Sequence, residues 1–252
     1  SLDAHVLSIL ETDKFPKLSP SADQRWKEIT LRQLLQHTGG FDSDASGDPM
    51  FQVSEITRAQ ELKRLARPRD IVKHQLKQPL DFDPGDHYAY SNFGYCLLGR
   101  IVEAVSEQSY EEFVRQRILT PCGMARTRLG KTRLEDRGKQ EARYHMQTKS
   151  MHTPVWSGAP SAGRRASSKP TAEVAEPYGR WDLEVMDSHG GWVSNAPDLV
   201  RLAASLDGKP GPLLTQKSLQ QMIARPKYTT PSFPGFRYVL GWMVRPVSIQ
   251  KE

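Results

Sequence analysis

The chain has 252 residues, 37% hydrophobic and 25% charged, with a formal net charge of +6, which allows a sizeable core. No window approaches the roughly 18–20 apolar residues of a bilayer-spanning helix, so a membrane span is not expected. The positive excess falls largely in "ARTRLGKTRLEDRGKQEARYHMQTKS" and "GRRASSKP", around residues 125–170; these runs are poor in aromatics and match no nucleic-acid motif, so they predict a solvated face rather than a nucleic-acid surface.

The chain opens on Ser1 with "SLDAHVLSILETDKFP", which suggests a processed, cloned or truncated start. Thr30-x-x-Gln33 in "ITLRQLLQHTGGF" is a capping-box pattern, and the helix behind it should end at Gly39 and Gly40. A second helix is expected between Thr57 and Leu65, and a third after Pro68. "PLDFDPGDHYAY" then reads as a turn-containing loop that delivers the chain to Tyr90. From Phe93 onward Leu97, Leu98, Ile101, Val102 and Val105 recur at helical spacing, predicting a buried stripe, with Ser91 or Asn92 as the cap. Ser109-x-x-Glu112 opens a further helix with Tyr110, Phe113, Val114 and Ile118 on one face, stopped at Pro121.

Between about 131 and 184 no period is sustained, and a long irregular, basic excursion is expected. Order returns in "SHGGWVSNAPDLVRLAASL", where Gly190 and Gly191 permit a tight backbone, Ser194 or Asn195 caps, and Leu199, Leu202, Ala203 and Leu206 form a predicted buried stripe. A helix carrying Leu219, Met222 and Ile223 follows Thr215. "FRYVLGWMV" alternates like one half-buried strand. Cys96 and Cys122 are too far apart to form a disulfide framework or a zinc spacing, and the seven histidines include no His-Glu-x-x-His pair.

Four stretches, "ITLRQLLQHTGGF", "PLDFDPGDHYAYSNFGYCLLGRIVEAVSEQSYEEFVRQRILTPCGM", "GGWVSNAPDLVRLAASL" and "YVLGWMV", occur in an order that resembles the serine β-lactamase-like superfamily. The branch they resemble holds class C β-lactamases, penicillin-binding esterases and D-alanyl-D-alanine carboxypeptidases. The resemblance covers roughly residues 26–130 and 186–244. It implies an α+β fold of the β-lactamase/DD-peptidase type: a helix-rich portion on an incomplete antiparallel sheet, in one partial domain over 1–252. It also implies an acyl-serine hydrolase acting on a small ester, β-lactam or peptide, with no metal or organic cofactor, and a place in the cell envelope or outside the cell.

In such enzymes a serine attacks a carbonyl and a base takes its proton. The resemblance gives Tyr90 the role of general base and Asn92 that of substrate ligand; His37 matches a structural marker. A tyrosine, with an ordinary pKa of about 10, serves as base only beside cations or when it shares a proton with a lysine. The residues alone equally allow Tyr90 to be an aromatic plug and Asn92 an N-cap. The family nucleophile, a Ser-x-x-Lys at a helix start, has no match in the expected place; Ser248-Ile249-Gln250-Lys251 follows the last strand, on the wrong side of Tyr90. The downstream Lys-Thr-Gly or His-x-Gly is also unmatched, and "SHGG" is a poor substitute. The expectation is therefore an internal portion of a longer hydrolase, inactive alone. The alternatives are a non-catalytic binding or scaffolding relative, and a thiol hydrolase using Cys96 or Cys122.

Overall fold

The computed structural model describes residues 1–10, 15–146, 151–158, 173–206, 213–228 and 235–245. Nine α-helices are present among them: α1 Val6–Leu10, α2 Leu31–Leu35, α3 Ser43–Ser46, α4 Val53–Ala59, α5 Pro68–Gln75, α6 Asn92–Ser106, α7 Tyr110–Val114, α8 Ala196–Leu206 and α9 Gln216–Ile223. The strands are short and pair in antiparallel twos. β1 Arg128–Leu129 pairs with β4 Trp192–Val193, β2 Met151–His152 with β3 Val174–Ala175, and β5 Arg237–Tyr238 with β6 Met243–Val244. No described helix is long and apolar enough to cross a membrane.

Local signals set the N-termini. Thr30 and Gln33 close the expected capping box, but α2 stops at Leu35 because His37 turns the chain with a φ of +56°, two residues before the glycines. The helix expected from Thr57 begins earlier, at Val53, and Glu61 ends it with a φ of +52°. Ser91 rather than Asn92 caps α6, its Oγ accepting the Gly94 N–H at 3.1 Å. Asn195 caps α8 by accepting the Asp198 N–H at 2.9 Å.

The core lies where α6 crosses the helices before it. Phe93, Cys96, Leu97 and Ile101 of α6 are buried with Val6, Leu10, Trp26, Leu34, Met50, Val53, Ile71 and Val72. A smaller cluster joins Val114, Leu119 and Met124 to Trp192 of β4 and Leu202 of α8. Two stripes depart from expectation. Val105 is 72% exposed, and on α8 Leu199 is 54% exposed while Asp198 and Ser205 are the buried residues. "FRYVLGWMV" is a hairpin instead of one strand: Arg237 faces Val244, and the Val239 N–H donates to the Trp242 carbonyl at 2.7 Å. Gly241, at φ +83°, supplies the turn conformation that side-chain-bearing residues resist.

Within the described part of the expected excursion, single 3-10 turns and the β2–β3 pair are the only regular elements. Both of its ends are fastened. Gly130 N–H donates to the Gly191 carbonyl at 2.7 Å, Thr132 N–H to Glu184 Oε2 at 3.1 Å, and Leu183 N–H to Thr132 Oγ1 at 2.8 Å. "GRRASSKP" and Ser248–Lys251 lie outside the described residues.

Candidate active site

The loop from Leu80 to Tyr90 and the first turn of α6 bring Tyr90, Ser91 and Asn92 to a surface that is half exposed at Tyr90, with 51% of that residue accessible. Ser91 is the inward-facing member. Its Oγ caps the helix, and its backbone N–H donates to His37 Nδ1 at 3.1 Å. Asn92, as the first helical residue, is thereby free of capping duty. Tyr90 Oη donates to Asn92 Oδ1 at 3.0 Å, and Asn92 Nδ2 donates to Asp48 Oδ2 at 2.7 Å. The other Asp48 oxygen accepts the Met50 N–H at 2.9 Å and caps the 3-10 turn Pro49–Phe51. Sequence reasoning did not find Asp48: its only local signature is that of a cap, and its partner lies 44 positions away.

His37 is the hub beneath. It is 2% exposed, and its ring packs against those of Tyr238, Tyr90, Tyr95 and Tyr88 at centroid distances of 4.4, 4.5, 5.0 and 5.8 Å. Burial pushes its pKa down to about 3, so the ring is neutral. Since Nδ1 accepts from Ser91, the ring proton is on Nε2. The ring's one hydrogen bond among the described residues is the one it accepts from the Ser91 backbone at the start of α6.

Burial, then Tyr238 and Asp48, hold the Tyr90 phenol above its ordinary value. In this environment Tyr90 is a hydrogen-bond donor, and a phenolate there would require an added cation. Burial pushes Tyr88 up to about 12 and Tyr95 further in the same direction. Tyr95 donates to the Leu35 carbonyl at 2.9 Å, which ties α6 to the end of α2.

Behind the tripeptide the buried face of α6 carries charge. Arg100 pairs with Asp187 at 2.5 Å and lies 3.6 Å from Glu103. Asp187 opens the "DSHGG" turn, and the small residues of that turn and of α6 are sterically required. A Cβ on Gly99 would lie 2.4 Å from Ser188 Oγ, and one on Gly191 would lie 2.8 Å from the Leu183 carbonyl oxygen. His189, largely buried, has its pKa pushed down to about 4. Cys96 is fully buried and its thiol is pushed up to about 12, which leaves it protonated and disfavours a thiolate nucleophile. No cluster of three or more metal-ligating side chains occurs among the described residues. A cavity of about 260 Å³ is lined by Ser91, Phe93, Trp26, Phe41 and Asp81, and by neither Tyr90 nor Asn92.

The Beta-lactamase family model matches residues 1–251. Among curated proteins, the chain is 30% identical over 99 residues to a putative D-alanyl-D-alanine carboxypeptidase of Escherichia coli K12, covering 39% of this chain and 21% of that protein. It is 32% identical over 111 residues to penicillin-binding protein 4* of Bacillus subtilis, covering 43% and 23%. Among solved structures, it resembles a D-stereospecific amidohydrolase from Streptomyces sp. with a TM-score of 0.67 at 24% identity, covering 98% of this chain and 64% of that one. A D-amino acid amidase from Ochrobactrum anthropi gives a TM-score of 0.63 at 22% identity, covering 98% and 61%. The matched stretches thus span roughly a quarter or less of these curated relatives and under two thirds of these solved chains. The expected α+β class and the resemblance drawn from the four motif stretches both hold: the chain belongs to the Beta-lactamase family and has the fold of β-lactamases and penicillin-binding proteins.

Proposed function

We propose that the complete protein is an acyl-serine hydrolase of esters or amides in which Tyr90 is the general base and Asn92 a substrate ligand. The observation that supports this most is the presentation of Tyr90 and Asn92 side by side at the half-exposed start of α6, with Ser91 doing the capping so that neither is taken up by it. In the reaction a serine Oγ attacks the substrate carbonyl carbon and its proton passes to the phenolate of Tyr90. The proton then goes to the leaving alcohol or amine as the carbonyl re-forms, and water repeats the sequence on the acyl-enzyme.

The nucleophile in this proposal is a Ser-x-x-Lys contributed by residues outside 1–252. Its lysine would also supply the cation that Tyr90 lacks among the described residues, pulling the phenol pKa down from its raised value. The 252 residues alone would then bind substrate without turning it over. The names of the relatives, which include a carboxypeptidase and amidases, support amides with D-configured residues as the first substrates to try.

Intact-mass spectrometry after incubation with a fluorophosphonate or a penicillin tests this, on the 252-residue chain and on a version extended from its parent reading frame. An adduct on the extended form alone, lost or slowed at least a hundredfold in Tyr90→Phe, is the expected result. No adduct on either folded form would favour a non-catalytic binding relative. An adduct on the short chain would relocate the nucleophile.

A further inference from the structure

We propose that Asp48 is a positioning residue of this site: by accepting the amide hydrogens of Asn92 it dictates which end of that amide meets Tyr90, and so keeps the phenolic proton on Tyr90. The assignment deepens the hydrolase reading and rests on it for its catalytic meaning.

The argument is one of hydrogen-bond polarity. An ionised carboxylate only accepts, so the partner that Asn92 turns toward Asp48 must be its NH₂ group. The amide carbonyl is then forced to the opposite side, toward Tyr90, and an acceptor there requires Tyr90 to donate. The contacts run in that sense: Tyr90 Oη to Asn92 Oδ1 at 3.0 Å, and Asn92 Nδ2 to Asp48 Oδ2 at 2.7 Å. Asp48 cannot rotate away easily, because its second oxygen is held by the Met50 N–H at 2.9 Å and Pro49 and Met50 behind it are buried.

Among the described residues, the titratable groups that act on Tyr90 are His37 from the end of α2, Tyr95 from α6, Tyr238 from β5, Tyr88 from its own loop, and Asp48. His37 is neutral and the three other tyrosines are phenols at neutral pH. Of this set Asp48 alone carries a charge. Its negative charge opposes the Tyr90 phenolate until a cation arrives, so the site is held in its proton-bearing form until then.

The substitution Asp48→Asn makes the proposal sharp. Asparagine has one acceptor where aspartate uses two. If its oxygen keeps the Met50 cap, its NH₂ faces Asn92 and turns that amide over, so that Asn92 becomes a donor to Tyr90. Loss of the charge and reversal of the bond both favour the phenolate, whereas Asp48→Ala removes only the charge and the tether. In protein carrying ¹³Cζ-labelled tyrosine, with Tyr90→Phe assigning the signal, the Tyr90 titration should move down by about one pH unit or more in Asp48→Asn and by less in Asp48→Ala. An unmoved or upward-moving midpoint in the folded variants would overturn the assignment. Should both variants unfold, the unsubstituted protein still decides, because the Asn92 side-chain amide must then exchange slowly with solvent and fast exchange refutes the proposal.

In the extended enzyme the acid limb of the kcat/KM profile should move to lower pH in Asp48→Asn, which a purely structural role for Asp48 would not cause. Absence of turnover in every form, with the Tyr90 shift intact, would sink the hydrolase reading and leave the Asp48 assignment standing. Turnover with neither shift would do the reverse.

Discussion

At Arg100 a guanidinium is buried against Asp187, with Glu103 as a further counter-charge at 3.6 Å. Burial works to push the Asp187 carboxyl up while Arg100 pulls it down, and Asp187 Oδ1 finds no hydrogen-bond partner among the described residues. Such pairs are weakly stabilising as a whole but costly to halve, because the remaining charge is left desolvated. Asp187→Ala should therefore lower unfolding free energy by roughly 3–5 kcal/mol in urea titration, whereas changing Arg100 and Asp187 together to apolar residues of similar volume should cost much less. Equal losses in the single and double variants would show that the pair does not act as a unit. Tyr90, Asn92 and His37 could be singled out because each stands in a stretch that resembles the family, His37 in "LLQHTGGF" and the other two in "HYAYSNFGY". Asp48 could not be, since a cap and an anchor for a distant amide look alike when only neighbours in sequence are visible.

Among the elements, those defined by their own caps were readable: Thr30 and Gln33, Ser109 and Thr215 each mark a helix start where one occurs. Burial was harder, because an amphipathic pattern names an apolar face without naming its partner. The face of α8 expected to be buried holds Leu199 at 54% exposure, while Leu97 of α6 is fully enclosed. Leu97→Ala should accordingly cost roughly 2–5 kcal/mol and Leu199→Ser no more than about 0.5 kcal/mol, read from thermal or urea midpoints. A large loss at Leu199 would mean that α8 is covered in solution. The β5–β6 hairpin was misread for a related reason: alternation continues across a tight turn, and Gly241 was the one letter that marked the reversal. That Ser91 alone caps the helix, leaving Tyr90 and Asn92 to pair with each other, needed the third dimension, because all three are polar enough to cap.

For the whole molecule, the buried histidines set the response to acid. His37 and His189 have folded-state pKa values near 3 and 4 against an ordinary 6.5. The unfolded chain therefore takes up protons first as pH falls below 6.5, and stability is lost across that window, on the order of 3 kcal/mol per histidine once pH reaches about 4. Asp182 acts in the opposite sense. Burial and Glu184 raise it to about 6, so its stabilising contribution is greatest below 3.8 and disappears as pH rises through 6. Two histidines outweigh one carboxyl, and unfolding midpoints in urea should fall steadily from pH 7 to pH 4.5. A flat or rising series would show that these rings are charged in the fold.

Asp182 belongs to the same clasp of Thr132 and Glu184 that, with the Gly130–Gly191 bond, closes the ends of the excursion upon themselves. Between those ends the described residues also reach the main core at Val155, which is buried and whose carbonyl accepts from Ser54 Oγ of α4 at 3.1 Å. Closing a flexible segment costs only about 0.6 kcal/mol more for each doubling of its length. An insertion that spares both the clasp and the Val155 anchor is therefore expected to cost little, leaving the tyrosine, the amide and the carboxylate in their places.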